Sequence, residues 1–201
     1  IEGGPEFSPV DAVASGQAHF GIASADTVLL ARAEGKPVRA IASIYRQSPV
    51  VLISLAHTGI SSPEHIISQK VRVTNQTAPS YRAMMARLEI PPDRYQEVVL
   101  PSDLDLFVSG EVPVWAAFFN SFAVSIQEAG YEINYIFPND YGVYFYGDVI
   151  FTSDSLIEQN PDLISRFLSA SLDGWRFAIE DPEAVGQMVT IYDEAADAAL
   201  E

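Results

Sequence analysis

The strongest constraint on the fold is the alternation of short apolar strands with capped helices in the first part of the chain. A capping box with proline at the first helical position opens a helix at Ser8 to Asp11, and Gly16 ends it. A buried strand follows at residues 19–23, a second helix at residues 24–33, and another strand at residues 38–44. Strands that alternate with helices in this way predict an α/β protein with a parallel sheet.

The rest of the chain continues the alternation around the run VVLISL at residues 50–55, which is apolar apart from Ser54. Further strands are expected at residues 70–73, 96–100, 114–118, 133–137 and 149–152. Asn160 and Asp181 each precede a proline and are expected to cap two C-terminal helices. Two strand–helix series predict two lobes joined by two chain crossings, which we place near residues 55–60 and 139–146.

Composition narrows the classes of function. The 201 residues carry a formal net charge of −16, which disfavours a nucleic-acid partner. There are no cysteines, and the three histidines are too far apart in sequence for a metal-binding motif. Nucleophile-elbow, Walker and dinucleotide signatures are absent from the sequence, so we expect a non-enzyme without a cofactor. The sequence has no apolar run of transmembrane length and no signal peptide.

Four stretches resemble one group of proteins, in the same order along the chain. They are SPVDAVASGQAHFGIA at residues 8–23, GISSPEHIISQKV at 59–71, YGVYFYGD at 141–148, and the helical region from LIEQNPD to DPE at 156–183. Their combination is similar to the periplasmic solute-binding proteins of ABC importers. Within that family it most resembles the branch that binds thiamine-pyrimidine precursors and, in some members, riboflavin.

This resemblance implies a two-lobed, type II periplasmic-binding-protein-like fold. With the expected crossings, lobe I takes residues 1–56 and 145–201, and lobe II takes residues 57–144. The implied function is capture of a small heteroaromatic molecule for import, with an ABC permease as the partner, an extracytoplasmic location and a monomeric state. Family members begin one strand and one helix earlier and continue past Glu201, so we expect a chain that is truncated at both ends.

The sequence departs from the family pattern in places, and one departure bears on the ligand. Residues 112–115 replace the usual motif after the second-lobe helix. Pyrimidine-precursor binders are expected to carry a glutamate in the helix near Phe122, and this sequence has no acid there before Glu128. The missing glutamate weakens the pyrimidine interpretation and leaves room for a larger, flavin-like ring.

The candidate ligand-binding residues follow from the position of binding sites in open α/β sheets, beyond the carboxyl ends of strands. One wall of the cleft is expected from loops after the first strands: Gly4, Ser24, Asp26, Tyr45 and Gln47. Ser24 or Asp26 is expected first of all as a helix cap, a role that can coexist with a ligand contact. Tyr45 has no obvious role in the core, which favours a ligand contact.

The opposite wall is expected from a helix start, a strand end and the return crossing: Asn75, Thr77, Trp115, Asn120, Tyr141, Tyr144 and Tyr146. Free amides at a helix start bind polar ligand groups, and a tryptophan beside an asparagine suits stacking on a flat ring. An ordinary helix start, core packing and hinge packing are the structural alternatives. The sharpest expectation is that Tyr45 and Trp115 face one cleft from opposite lobes, whereas Phe167 is a core aromatic.

Two other functions stay open. Resemblance to a thiamine-pyrimidine synthase of the same fold would imply a cysteine-rich iron-binding motif and a reactive histidine, and this sequence has neither. A ligand-sensing domain of a larger protein is the third interpretation, and a fused output domain would distinguish it.

Overall fold

The computed structural model describes residues 7–74, 76–101 and 103–192, without the side chain of Tyr192. Strands in this part of the chain are β1 (Phe20–Ser24), β2 (Val38–Ser43), β3 (Val50–Leu55), β4 (Lys70–Arg72), β5 (Gln96–Val98), β6 (Val114–Phe118), β7 (Ile133–Ile136) and β8 (Asp148–Ser153). Helices are α1 (Pro9–Ala14), α2 (Ala25–Ala33), α3 (Ala78–Arg87), α4 (Leu104–Val108), α5 (Phe122–Glu128), α6 (Asp154–Gln159), α7 (Pro161–Glu180) and α8 (Pro182–Tyr192). Single 3₁₀ turns cover Ala56–Thr58, Pro63–Ile66, Pro92–Arg94 and Pro138–Tyr141.

The first sheet has three strands in the order β1-β8-β2. Both outer strands pair antiparallel with β8, so the expected parallel pairing is wrong for this sheet. The helical crossover α2 still leaves β1 and β2 pointing the same way, as a strand–helix–strand unit requires. The sequence pattern sets that direction, but it does not show that a strand from much later in the chain lies between them.

The second sheet has five strands in the order β5-β4-β6-β3-β7. β4 pairs parallel with β5 and β6, whereas β3 pairs antiparallel with β6 and β7. All six residues of β3 are buried, which suits a strand in the interior of a sheet that is covered on both faces. The expected α/β architecture with two separate sheets is confirmed.

The pairing of β3 changes where the chain passes between the sheets. The first passage covers residues 44–49, between β2 and β3, rather than residues 55–60. The return passage covers residues 137–147 and includes the expected region 139–146. We call these the crossing segments. The first passage differs from the expectation because β3, which is buried throughout and apolar apart from Ser54, carries no sign of which sheet it joins.

The crossing segments are hydrogen-bonded to each other. The Gly147 amide donates to the Tyr45 carbonyl at 3.0 Å, and the Ser48 amide donates to the Phe145 carbonyl at 2.8 Å. A Cβ atom on Gly147 would lie 2.8 Å from Tyr45 Cβ and 3.0 Å from Pro49 Cδ. The two segments therefore approach each other as closely as a glycine allows.

Three apolar clusters hold the fold together. Val13, Val28 and Phe151 centre the cluster that packs α1 and α2 on the first sheet. The other two cover opposite faces of the second sheet, one containing Tyr81 of α3 and one containing Trp115 of β6. Both faces of the second sheet are thus buried, and its central strands have no solvent-facing side.

The predicted C-terminal caps are present. The Leu163 amide donates to Asn160 Oδ1 at 3.2 Å, and the Ala184 amide donates to Asp181 Oδ1 at 3.1 Å. Phe167 of α7 stacks on Phe20 of β1, with ring centroids 3.8 Å apart. No helix in the described part of the chain combines the length and the hydropathy needed to cross a bilayer.

Candidate ligand-binding cleft

A cleft lies where the first sheet, the crossing segments and the start of α3 meet. Its enclosed part has a volume of about 50 Å³. A wider groove of about 940 Å³ runs along α1 and α2 and shares Ser24, Gln76 and Asp148 with the enclosed part. We call the two spaces together the cleft. Polar side chains of the enclosed part are Ser24, Asp26, Ser48, Gln76, Ser80, Tyr146 and Asp148.

Asp148 is the first residue of β8, the central strand of the first sheet. It pairs with Ser24 in the β1–β8 register, and its carbonyl accepts the Ile44 amide at 2.8 Å. Burial and the nearby negative charge of Asp26 raise the pKa of the Asp148 carboxyl above its usual range. Because β8 runs antiparallel to β1, its first residue lies beside the carboxyl end of β1, where open α/β sheets bind their ligands.

The start of α2 supplies Ser24 and Asp26. Ser24 is the residue before the helix, but its side chain caps no amide and instead hydrogen-bonds Thr27 Oγ1 at 2.8 Å. The Ala25 amide donates to the Gly147 carbonyl at 3.1 Å, which ties the helix start to the second crossing segment. Both predicted residues therefore line the cleft, and the expected side-chain cap at Ser24 is absent.

The start of α3 contributes residues other than the predicted Thr77. Thr77 is 2% exposed, and its hydroxyl accepts the Thr74 amide at 2.9 Å, so it stabilises the turn before the helix. Gln76 and Ser80, on either side of it, line the cleft. Asn75 and Gly4 lie outside the described residues.

A shallow hollow of about 340 Å³ adjoins the cleft at Tyr146. Its lining includes two other predicted residues, Gln47 and Tyr144, together with Arg46 and Asn139. Tyr144 is 80% exposed and Tyr146 is 59% exposed. The ring of Tyr146 borders both spaces and is available to contact a ligand in either.

The structure places Trp115 away from the cleft. Trp115 has no exposed surface, stacks on Phe122 with centroids 4.9 Å apart, and donates its indole N–H to the Val112 carbonyl at 2.9 Å. It lies inside β6 rather than at its end. The expectation that Trp115 and Tyr45 face one cleft is therefore not met.

The remaining predicted residues do not line the cleft. Tyr45 is half-buried and packs over Gly147, so its ring supports the crossing segments. Tyr141 packs against the cluster that contains Tyr81. Asn120 is exposed in the turn after β6 and does not line the cleft.

Asp148, Ser48, Gln76 and Ser80 were not among the predicted site residues. Asp148 had a usable signal, because it directly precedes the expected strand at residues 149–152 and follows a stretch with four aromatic residues in six positions. The described residues contain no group of three or more histidine, cysteine, aspartate and glutamate side chains that could hold a metal ion.

Comparison with known proteins finds one matching family and curated relatives that are named for the molecules they bind. The sequence profile described as NMT1/THI5 like matches residues 1–185. The riboflavin-binding protein RibY of Chloroflexus aurantiacus is 25% identical over 168 residues, which cover 82% of this chain and 48% of the relative. A formylaminopyrimidine-binding protein of Halalkalibacterium halodurans is 26% identical over 196 residues, covering 93% of this chain and 58% of the relative.

A third curated relative carries an enzyme's name. The 4-amino-5-hydroxymethyl-2-methylpyrimidine phosphate synthase of Legionella pneumophila is 23% identical over 182 residues, covering 88% of this chain and 58% of the relative. The chain thus spans about half the length of the curated relatives that it matches.

Among solved structures, the periplasmic aliphatic sulphonate binding protein SsuA of Escherichia coli superposes with a TM-score of 0.80 at 13% identity, covering 95% of this chain and 62% of that one. The alkanesulfonate-binding protein SsuA of Xanthomonas axonopodis, bound to MOPS, superposes with a TM-score of 0.72 at 12% identity, covering 95% and 66%. At this identity the likeness establishes the fold and nothing about the ligand.

Proposed function

Because this chain belongs to the NMT1/THI5-like family, we propose that it is the ligand-capturing part of a substrate-binding protein for an ABC-type importer. The observation that carries the proposal is the cleft between two sheets that are joined by two hydrogen-bonded crossing segments. Such an arrangement lets one body rotate against another around a bound molecule. An ABC permease as the partner and an extracytoplasmic location follow from the same proposal.

In this proposal each sheet is the core of one lobe. The three-stranded sheet with α1, α2 and the C-terminal helices forms lobe I, and the five-stranded sheet with α3 to α5 forms lobe II. The crossing segments at residues 44–49 and 137–147 are the hinge. This division assigns β3 to lobe II, whereas the sequence-based boundary at residue 56 assigned it to lobe I.

The proposed ligand is a small heteroaromatic molecule of the riboflavin or aminopyrimidine type. The names of two relatives support this class. Phe118, Phe145 and Tyr146 supply aromatic surface at the cleft, and the surrounding serine, glutamine and aspartate side chains supply hydrogen-bonding groups. Ring stacking with a few placed polar contacts is the usual way in which proteins hold such molecules.

Calorimetry with the full-length natural protein tests this function. Riboflavin and formylaminopyrimidine are titrated beside an alkanesulfonate and simple amino acids, and we expect binding of one of the first two. Binding of only the sulfonate or an amino acid would contradict the proposal.

A matched pair of tyrosine variants locates the site. Tyr146→Ala removes the ring at the cleft, whereas Tyr131→Ala removes a partly exposed tyrosine in the turn after α5. Loss of one stacking contact weakens binding by about 1–3 kcal/mol, so the first variant should bind at least about fivefold more weakly and the second should match the parent. Equal affinity in both variants would show that the cleft is misplaced.

The name of the Legionella relative favours a second candidate, synthesis of a pyrimidine phosphate. The fate of the bound molecule separates the two functions. A substrate-binding protein releases its ligand unchanged when it is denatured, whereas a synthase yields a new pyrimidine phosphate that mass spectrometry detects.

A further inference from the structure

We propose that Asp26 and Asp148 form a carboxylate pair that restricts the cleft to neutral or cationic ligands rich in N–H or O–H donors, and that it rejects anionic forms of the same molecules. This inference rests on the proposed function, since it specifies the ligand class of that cleft. It departs from the sulfonate ligands named for two structural neighbours, whose likeness concerns the fold.

The fold brings Asp26 and Asp148 to the same space. Asp148 pairs with Ser24 across the β1–β8 ladder, and Asp26 follows Ser24 by two positions in the first turn of α2. The Ala25 amide donates to the Gly147 carbonyl, so the start of α2 is tied to the residue just before Asp148. Both side chains line the same enclosed space and are half-buried.

The described surroundings offer this pair no cation. The described lining of the enclosed space contains serine and glutamine as its other hydrogen-bonding groups besides Tyr146, and it has no lysine, arginine or histidine. In the wider groove, Lys36 is 2.7 Å from Asp11 and lies near Glu34, so its charge is already balanced. Arg46 lies beyond Tyr146, in the adjoining hollow.

The unbalanced charge has a chemical consequence. Ionised carboxylates accept hydrogen bonds and donate none, so they favour ring N–H, amino and hydroxyl groups on a ligand. A phosphate or sulfonate in this partly buried space would meet negative charge with no described cation beside it. Burial, and to a smaller extent the negative charge of Asp26, raises the pKa of the Asp148 carboxyl, which agrees with two acids that share a partly buried space.

The test compares each neutral ligand with its own phosphate. The full-length protein is titrated with riboflavin and riboflavin 5′-phosphate, and with 4-amino-5-hydroxymethyl-2-methylpyrimidine and its phosphate. For the compound that binds, we expect the neutral form to bind at least about 100-fold more tightly than its phosphate. The double variant that combines Asp26→Asn and Asp148→Asn should reduce the preference for the neutral form at least about tenfold. Asp140→Asn, an exposed acid of the second crossing segment outside the cleft lining, should leave it unchanged.

The outcomes separate this inference from the proposed function. Equal affinity for a ligand and its phosphate, or a preference that survives in the double Asn variant, overturns the inference while the binding function stands. If neither this panel nor formylaminopyrimidine binds, the proposed function fails. If this panel gives no binding, carboxyl NMR titration of the unliganded protein tests the carboxylate pair. We then expect Asp148 to titrate above the ordinary aspartate range and to fall towards it in Asp26→Asn; a titration unaffected by that substitution overturns the inference.

Discussion

Substitution of Gly147 by alanine tests how tightly the crossing segments are packed. The added methyl group would lie 2.8 Å from Tyr45 Cβ and 3.0 Å from Pro49 Cδ, both well inside van der Waals contact. Neither neighbour is the flexible end of a long side chain, so the backbone of one segment must move. Overpacking of this kind costs about 1–3 kcal/mol of the free energy of unfolding.

Gly174→Ala is the matched control. It makes the same chemical change inside α7, where no atom outside the local helix lies within 4 Å of the new Cβ. Alanine in a helix interior is favoured over glycine by about 1 kcal/mol, so this variant should be more stable than the parent. Both variants lose the same glycine freedom in the unfolded chain, and their difference therefore isolates the contact with Tyr45 and Pro49.

Urea unfolding followed by circular dichroism measures both free energies. We expect a lower midpoint for Gly147→Ala and a higher midpoint for Gly174→Ala, with unchanged slopes. Gly147→Ala should also weaken ligand binding, because the shifted backbone carries Tyr146 and Asp148. A Gly147→Ala midpoint equal to or above the parent's would refute the close packing of the crossing segments.

Two further predictions concern stability. Trp115→Ala should lower the free energy of unfolding by about 3–5 kcal/mol, more than Phe167→Ala, because Trp115 is wholly buried whereas Phe167 is partly exposed. Urea unfolding of both variants checks this order. The reverse order would place Trp115 outside the core. Asp148→Asn should remove one contribution to the pH dependence of stability, because a carboxyl whose pKa is raised by folding stabilises the protein below its unfolded pKa and loses that contribution as pH rises through the folded pKa. Thermal unfolding between pH 3 and 8 should show the stability of the parent relative to Asp148→Asn falling as pH rises, whereas the parent relative to Asp140→Asn should show no such fall; a constant difference between parent and Asp148→Asn would contradict the prediction.

Local features of the fold were predictable because their causes are local. The caps at Asn160 and Asp181 depend on side chains that reach amides three positions away, and the sequence shows both partners. The bounds of α2 lie within one residue of the expected range 24–33, although Ser24 makes no side-chain cap. The cleft residues Ser24 and Asp26 were found because they follow an apolar strand, where α/β sheets place their ligands.

The predictions that the structure contradicts concern the pairing of strands that are distant in the chain. β3 and β6 are buried on both faces, so neither strand shows the alternation that would reveal a neighbour or an orientation. Trp115 was therefore assigned to the cleft although it lies in the core. The pairing of Asp148 with Ser24, which brings a second acid to Asp26, is equally invisible in the sequence because it depends on where β8 enters the sheet.

The position of β8 also sets an order of events during synthesis. The five-stranded sheet takes all its strands from one continuous stretch that ends at Ile136, so it can form as soon as that stretch has left the ribosome. The first sheet cannot, since β1 and β2 contact each other only through a strand made much later; the Thr152 hydroxyl donates to the His19 carbonyl across 133 positions. The portion synthesised first is thus completed last, and until β8 arrives its strand edges stay open to other nascent chains.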